Sequence, residues 1–109
     1  MRERRSYCFY IMASRSKTLY CGVTGDLMKR VWQHKNHVHE GFTDKYNVER
    51  LVYYERYGRV IDAITRETQV KKWSRAKKIT LIERENPTWI DLGEDWGKPM
   101  KWPLVEVKG

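Results

Sequence analysis

The sequence predicts an α+β fold, a small three-stranded antiparallel sheet flanked by three helices in the order β-β-α-β-α-α. Two short apolar segments, Tyr7–Ala13 and Thr18–Val23, flank a polar stretch and suit a hairpin. A third segment of strand character follows at Leu51–Glu55. Between and after these segments, apolar residues recur at the spacing of helices that bury one face.

The first strand is expected to be the central one, because Tyr7–Ala13 is apolar at both its odd and its even positions. That pattern is typical of a strand covered on both faces. Ser14–Lys17 is the predicted hairpin turn, and Thr18–Val23 is the returning strand. Gly22 would let a backbone or a ligand approach the second strand closely.

The first helix is expected to begin after Thr24 or Asp26, either of which can act as its cap, and to reach about Val38. Arg30 and His34 are four residues apart, so they lie on one face of this helix. That face borders the predicted apolar stripe of Leu27, Val31 and Val38. The strand-turn-strand-helix order therefore brings Tyr10, Tyr20 and Arg30 to one patch of the sheet.

A loop over residues 39–47 and the third strand precede a second helix, predicted from Val60 to about Trp73. Its buried stripe is expected to be Ala63, Ile64, Val70 and Trp73. Ser74 can cap a third helix, which runs from Arg75 to about Glu85 and ends before Asn86 and Pro87. The prediction is one domain over residues 1–92 and a loosely packed tail over 93–109.

Charge favours polyanionic partners. The 109 residues carry 22 Lys and Arg against 14 Asp and Glu, a net charge of +8. Nucleic acid is the first such partner and an anionic membrane surface the second, while a solvated basic surface is the alternative. Cys8 and Cys21 show no disulfide spacing and are expected to be reduced, buried thiols of a cytoplasmic protein. We expect neither a signal sequence nor a membrane span.

Glu67 falls inside the predicted apolar stripe of the second helix, where an unpaired carboxylate is costly. Two interpretations remain open: it pairs with an arginine such as Arg30 or Arg66, or it faces a groove and holds a divalent cation. A zinc site at His34, His37 and His39 is the weaker idea, because the spacing lacks accompanying cysteines.

Together these residues resemble the GIY-YIG nuclease superfamily, especially its small single-domain bacterial members. The first motif appears as Cys8–Tyr10 and the second as Tyr20–Gly22, with the helix arginine at Arg30 and the glutamate at Glu67. Cys8 and Phe9 replace the usual Gly and Ile at packing positions. The resemblance covers residues 6–92 and continues through Leu19–Thr24, Asp26–His34, Gly41–Asn47, Leu51–Glu55, Arg66–Lys78 and Asn86–Leu92.

The resemblance implies hydrolysis of phosphodiester bonds with one Mg²⁺, or Mn²⁺, held by Glu67 as the only protein ligand. Tyr10 would be the general base, Tyr20 would orient the water or a phosphate oxygen, and which tyrosine is the base stays open. Arg30 would stabilise developing charge, and His34 would hydrogen-bond Tyr10 or the phosphate. Asn86 would support the site, as an asparagine does in some members.

The expected partner is nucleic acid, with DNA ahead of RNA, recognised by structure rather than sequence, and a protein partner would supply further specificity. The residues expected to hold backbone phosphates are Lys29, Lys35, Lys45, Lys71, Lys72 and Arg75. Two alternatives are a module that binds nucleic acid without turnover and a structural domain in which Glu67 is a buried ion-pair partner.

Overall fold

A computed structural model describes residues 6–38, 41 and 45–97. Within them, a three-stranded antiparallel sheet has the order β2-β1-β3, which confirms the predicted α+β class. The elements are β1 Tyr7–Ala13, β2 Leu19–Thr24, α1 Leu27–Lys35, β3 Arg50–Tyr57, α2 Val60–Lys71, α3 Arg75–Glu85 and a 3₁₀ turn Glu94–Gly97. Most of the predicted 39–47 loop, the first five residues and residues 98–109 lie outside the described part.

The central position of β1 is confirmed, and this strand divides the interior into two cores. Its odd-numbered residues, such as Phe9 and Ile11, pack with Val70 of α2 and Ile82 of α3. Its even-numbered residues pack with α1; they are Cys8, Tyr10 and Met12, and their helix partners are Leu27 and Val31. Covering on both faces explains why both parities of this strand are apolar.

Helix α1 ends at Lys35 rather than near Val38, so the predicted end was wrong. His37 has a φ of 52°, which lies in the left-handed region and cannot continue a right-handed helix. The Asn36 side chain caps the end by donating to the Trp32 carbonyl oxygen at 2.9 Å. Val38 consequently falls outside the apolar stripe and is 48% exposed.

The predicted boundaries of the other two helices match the structure to different degrees. Helix α2 ends at Lys71, two residues before the predicted end, and Ile64 is exposed rather than part of the stripe. Helix α3 has the predicted bounds, because Ser74 Oγ accepts a hydrogen bond from the Lys77 amide at 3.1 Å. In the described residues, no helix combines the length and apolar character that crossing a bilayer requires.

The beginning of the predicted loose tail is in fact packed. Trp96, in the 3₁₀ turn, packs against the core between β1 and α1. A Cβ atom at Gly93 would lie 2.8 Å from the Trp96 ring and 3.1 Å from Val31, so the chain passes very close to α1 there. Asp91 fixes this course by accepting hydrogen bonds from the amides of Leu51 and Gly93, both at 3.0 Å.

A polar network joins β3 to α2 on the side of the sheet away from α1. The Arg66 guanidinium donates two hydrogen bonds to Glu55, at 2.9 and 3.0 Å, and the Tyr57 hydroxyl donates a third at 2.6 Å. The Tyr53 hydroxyl donates to the same carboxylate. Burial raises the Glu55 pKa, but these donors outweigh it and hold the pKa below its usual range.

Part of the protein's stability depends on the ionised Glu55 carboxylate in this network and is lost in acid. Because the folded-state pKa of Glu55 is lowered, its contribution is present above the unfolded pKa near 4.3 and is lost as pH falls through the folded value. We expect Glu55→Gln to cost about 1–3 kcal/mol at pH 7 and to flatten the loss of stability below about pH 5. Urea unfolding from pH 3 to pH 7 measures this. The exposed Glu85→Gln is the control, and equal pH slopes in both variants would contradict the assignment.

Candidate active site

Tyr10 lies at the centre of β1 and has no exposed surface. It pairs with Gly22 of β2, and its ring covers that residue. A Cβ atom at position 22 would lie 2.7 Å from Tyr10 Oη, so glycine is required for this approach. The close approach expected at Gly22 is therefore made by the Tyr10 side chain.

Tyr20 and His34 complete a cluster of three rings. Tyr20 pairs with Met12 across the β1–β2 ladder, which places it on the same face as Tyr10. The Tyr10 and Tyr20 ring centroids are 6.3 Å apart, and the His34 ring lies 5.8 Å from Tyr10 and 5.5 Å from Tyr20. Tyr10 Oη and His34 Nε2 are in hydrogen-bond contact at 3.1 Å.

Arg30 and Glu67 act on the Tyr10 hydroxyl from α1 and α2. Burial raises the Tyr10 pKa well above its ordinary value, and Tyr20 raises it further. The Arg30 guanidinium lowers the pKa through its charge and a hydrogen bond, whereas the Glu67 carboxylate raises it. At neutral pH, Tyr10 is consequently a neutral phenol that is influenced by the charges of Arg30 and Glu67.

Glu67 lies between the buried residues Ala63 and Val70 on one face of α2, as the sequence predicted. Its side chain is 18% exposed, and its Oε2 forms an ion pair of 2.8 Å with Lys71 Nζ, one helical turn later. Arg66 is bound to Glu55 instead, so the Arg66 pairing considered for Glu67 was wrong. Helix α2 packs against β1 and β2 on the face of the sheet away from α1, and from there the charge of Glu67 raises the pKa of Tyr10.

The sequence predicted catalytic roles for Tyr10, Tyr20, Arg30, His34 and Glu67, and these roles stay predictions. In the structure the three rings are in contact, and the charges of Arg30 and Glu67 both act on Tyr10. Arg30 also lines an open, largely polar cavity of about 330 Å³ with Lys29 and Gln33. This space has room for a phosphate group, and Gln33 is a lining residue that the sequence did not single out.

The predicted phosphate-binding residues do not all face solvent. Lys29, Lys45, Lys72 and Arg75 are exposed, as that prediction requires. Lys35 is a correction, because its side chain is only 12% exposed and its ammonium is bound to Asp91 and, at 2.8 Å, to the Glu49 carbonyl oxygen. A lysine used in this way holds α1 to β3 and is not available to a phosphate. Its place on the inward side of a helix end was not visible in the sequence.

Asn86 is a second correction. It is buried, and its Nδ2 donates to the carbonyl oxygens of Val52 at 3.0 Å and Ile90 at 2.8 Å. Its Oδ1 accepts from the Ile90 amide at 2.9 Å. Asn86 therefore ties the end of α3 to β3, the edge of the sheet opposite β2, and does not support the tyrosine cluster.

The histidines are also separated. His34 contacts Tyr10, whereas His37 Nε2 pairs with Glu49 at 2.5 Å; His39 lies outside the described residues. Across residues 6–38, 41 and 45–97, no three His, Cys, Asp or Glu side chains are grouped to hold a metal ion. A cation at Glu67 would therefore depend on water and substrate oxygen atoms for its remaining ligands.

Gly22→Ala tests the packing of Tyr10 directly. The added Cβ would force the Tyr10 ring away from β2 and from His34, because 2.7 Å is far inside van der Waals contact. We expect a loss of about 1–3 kcal/mol in the free energy of unfolding, measured by urea denaturation. Gly58→Ala is the control, because nothing lies within 4 Å of a Cβ at that position. Equal effects of the two substitutions would show that Tyr10 does not occupy this space.

Comparisons with known proteins identify the family of this chain. The sequence model of one protein family, the GIY-YIG catalytic domain, matches residues 6–80. A UPF0213 protein of Syntrophus aciditrophicus is 35% identical over 79 residues, covering 72% of this chain and 90% of that protein. One of Bacillus pumilus is 31% identical over 81 residues, covering 74% and 83%.

A solved structure shows the same fold. The solution NMR structure of a UPF0213 protein from Bacillus halodurans superimposes with a TM-score of 0.53 at 23% identity, covering 83% of this chain and 96% of that one. The family match spans both tyrosine strands, α1 and α2, which together carry the five clustered residues. The chain therefore belongs to the GIY-YIG family.

Proposed function

We propose that this protein is a metal-dependent nuclease that hydrolyses phosphodiester bonds of DNA and selects its substrate by structure rather than sequence. Family membership supports nuclease activity and nucleic-acid binding in general. The observation that carries the proposal is that two phenols and an imidazole are in contact beside β1 and β2, within reach of the charges of a guanidinium and a carboxylate.

The carboxylate oxygen atoms of Glu67 fit Mg²⁺ or Mn²⁺. Glu67 offers a carboxylate that is partly exposed, and hard divalent cations prefer oxygen ligands. Mg²⁺ commonly binds through one or two carboxylates, several waters and substrate phosphates, so a single protein ligand suffices. When bound, such a cation supplies Lewis-acid stabilisation of charge on the phosphate.

Tyr10 and His34 are assigned to proton transfer as a pair. A phenol whose pKa is raised by burial stays protonated at neutral pH, so Tyr10 cannot accept a proton unless it gives up its own. His34 Nε2, 3.1 Å from Tyr10 Oη, is placed to take that proton. As the water oxygen bonds to phosphorus, its proton passes to Tyr10 while the phenolic proton passes to His34. The bond from phosphorus to the leaving sugar oxygen breaks, and that oxygen takes up a proton from solvent.

Tyr20 and Arg30 are assigned to the substrate. Tyr20 is only part-buried, so it can contact the attacking water or a phosphate oxygen directly. Tyr10 is fully buried, so water reaches its hydroxyl only when substrate brings it there. Arg30 lines the polar cavity and presents a permanent positive charge to the phosphoryl group. A fixed charge of this kind stabilises the transition state without reorganisation.

The test is cleavage of end-labelled single-stranded, flapped, branched and duplex DNA, with RNA versions alongside. We expect cleavage with Mg²⁺ or Mn²⁺ that chelation stops, and higher rates on flapped or branched DNA than on plain duplex. Absence of metal-dependent cleavage on every substrate would reject the nuclease. The net charge of +8 favours one alternative, a non-catalytic nucleic-acid-binding module, which predicts salt-sensitive binding without cleavage.

A further inference from the structure

Lys71 occupies an unusual position for a surface lysine. Its ammonium lies 2.8 Å from Glu67 Oε2, yet its side chain is 55% exposed. It is also within electrostatic reach of Tyr20 and Cys21 on β2. Lys71 therefore has one end of its side chain on the proposed cation ligand and most of its surface in water.

An ammonium and a divalent cation compete for the same carboxylate. Both are attracted by Glu67, and they repel each other at the short distances that sharing it would impose. The Lys71 side chain is long, flexible and more than half exposed, so its ammonium can leave Glu67 for water. Nearby Lys72 and Arg75 are exposed on the same end of α2 and the start of α3, where phosphates of a bound strand would pass.

We propose that Lys71 is a tethered counter-ion: it neutralises Glu67 before the cation arrives, and the cation's binding releases it to a nucleic-acid phosphate. This inference rests on the proposed function, because it takes Glu67 as the cation ligand. It adds that cation binding and strand binding are coupled through one side chain. The substrate class is accordingly a strand whose phosphate lies next to Tyr20, on the β2 side of α2.

The first arm of the test measures Mn²⁺ binding without nucleic acid, by loss of the free Mn²⁺ EPR signal. Lys71→Met removes the competing charge but keeps the aliphatic stem, so we expect Mn²⁺ to bind up to about fivefold more tightly. Arg59→Met is the matched control. It removes one positive charge from an exposed pair with Asp62 at the other end of α2, about 12 Å along the helix from Glu67.

The second arm measures binding of a fluorescent single-stranded DNA oligonucleotide in chelator at low salt. Glu67→Gln should strengthen binding, because it frees Lys71 and removes a negative charge. In the Lys71→Met background the same change should give a much smaller gain, which isolates the contribution of the lysine. Equal gains in both backgrounds would mean that only net charge matters, and would overturn the coupling.

The two arms separate this proposal from the nuclease proposal. If the wild type binds Mn²⁺ and cleaves DNA but Lys71→Met leaves Mn²⁺ affinity unchanged, the counter-ion role fails while the nuclease stands. If Lys71→Met tightens Mn²⁺ binding and Glu67→Gln strengthens DNA binding mainly when Lys71 is present, but no substrate is cleaved, the counter-ion role holds in a non-catalytic module. Absence of Mn²⁺ binding in both proteins would overturn it.

Discussion

Glu67→Gln is expected to lower the rate of metal-dependent cleavage by at least about 100-fold while leaving the protein folded. The amide keeps the shape of the side chain but removes the charge that would hold a divalent cation. Single-turnover cleavage of the best DNA substrate measures the effect. Asp62→Asn is the control, because it neutralises a carboxylate in an exposed ion pair on the same helix.

Stability distinguishes this role from a structural one. Lys71 is 55% exposed and Glu67 is 18% exposed, so solvent weakens the ion pair from one side and we expect it to contribute about 1 kcal/mol. We therefore expect the melting temperature of Glu67→Gln to change by no more than about 4–8 °C. A larger fall together with unaltered cleavage would mean that the carboxylate serves the fold alone.

Tyr10→Phe is expected to reduce cleavage by about 10²–10⁴-fold, because it removes the hydroxyl that passes a proton to His34. The ring, which fills the space over Gly22, is retained. Loss of the hydrogen bonds of this hydroxyl to His34 and Arg30 should cost about 1–3 kcal/mol of stability. Single-turnover rates and urea unfolding, measured on the same preparations, separate the two effects.

Tyr53→Phe is a close control for that experiment. Tyr53 is also a buried strand tyrosine, but its hydroxyl bonds Glu55 in the core on the other face of the sheet. We expect it to lower stability by a similar or larger amount and to leave cleavage within about twofold, the level that a folded enzyme retains. Near wild-type cleavage by Tyr10→Phe would instead move the general base to Tyr20.

Most of the fold follows from periodicity because its elements have strong local signals. The two-sided apolar pattern of β1 and the Ser74 cap of α3 each depend on residues adjacent in sequence. The end of α1 depends on a positive φ at His37, and the packing of Trp96 depends on Asp91, which accepts a hydrogen bond from the amide of distant Leu51. Neither the backbone conformation of one residue nor a contact between distant segments leaves a periodic trace in the sequence.

In the candidate site, too, some features have a signal in the sequence and others do not. Spacing and resemblance singled out the clustered residues, but not the charge partners that surround them. Lys71 follows Glu67 by four residues in the favoured Glu-to-Lys order, a signal that was available in the sequence. Lys35 carried no such signal, because its partners Asp91 and the Glu49 carbonyl come from other elements.

The position of a bound cation tests the central claim most directly. Crystals soaked in Mn²⁺ should show an anomalous peak at coordination distance from a carboxylate oxygen of Glu67, on the side that faces Tyr10, Tyr20 and Arg30. That result would join the carboxylate and the two phenols in one reaction site. A peak at another carboxylate, or none beside Glu67 at saturating Mn²⁺, would contradict the account.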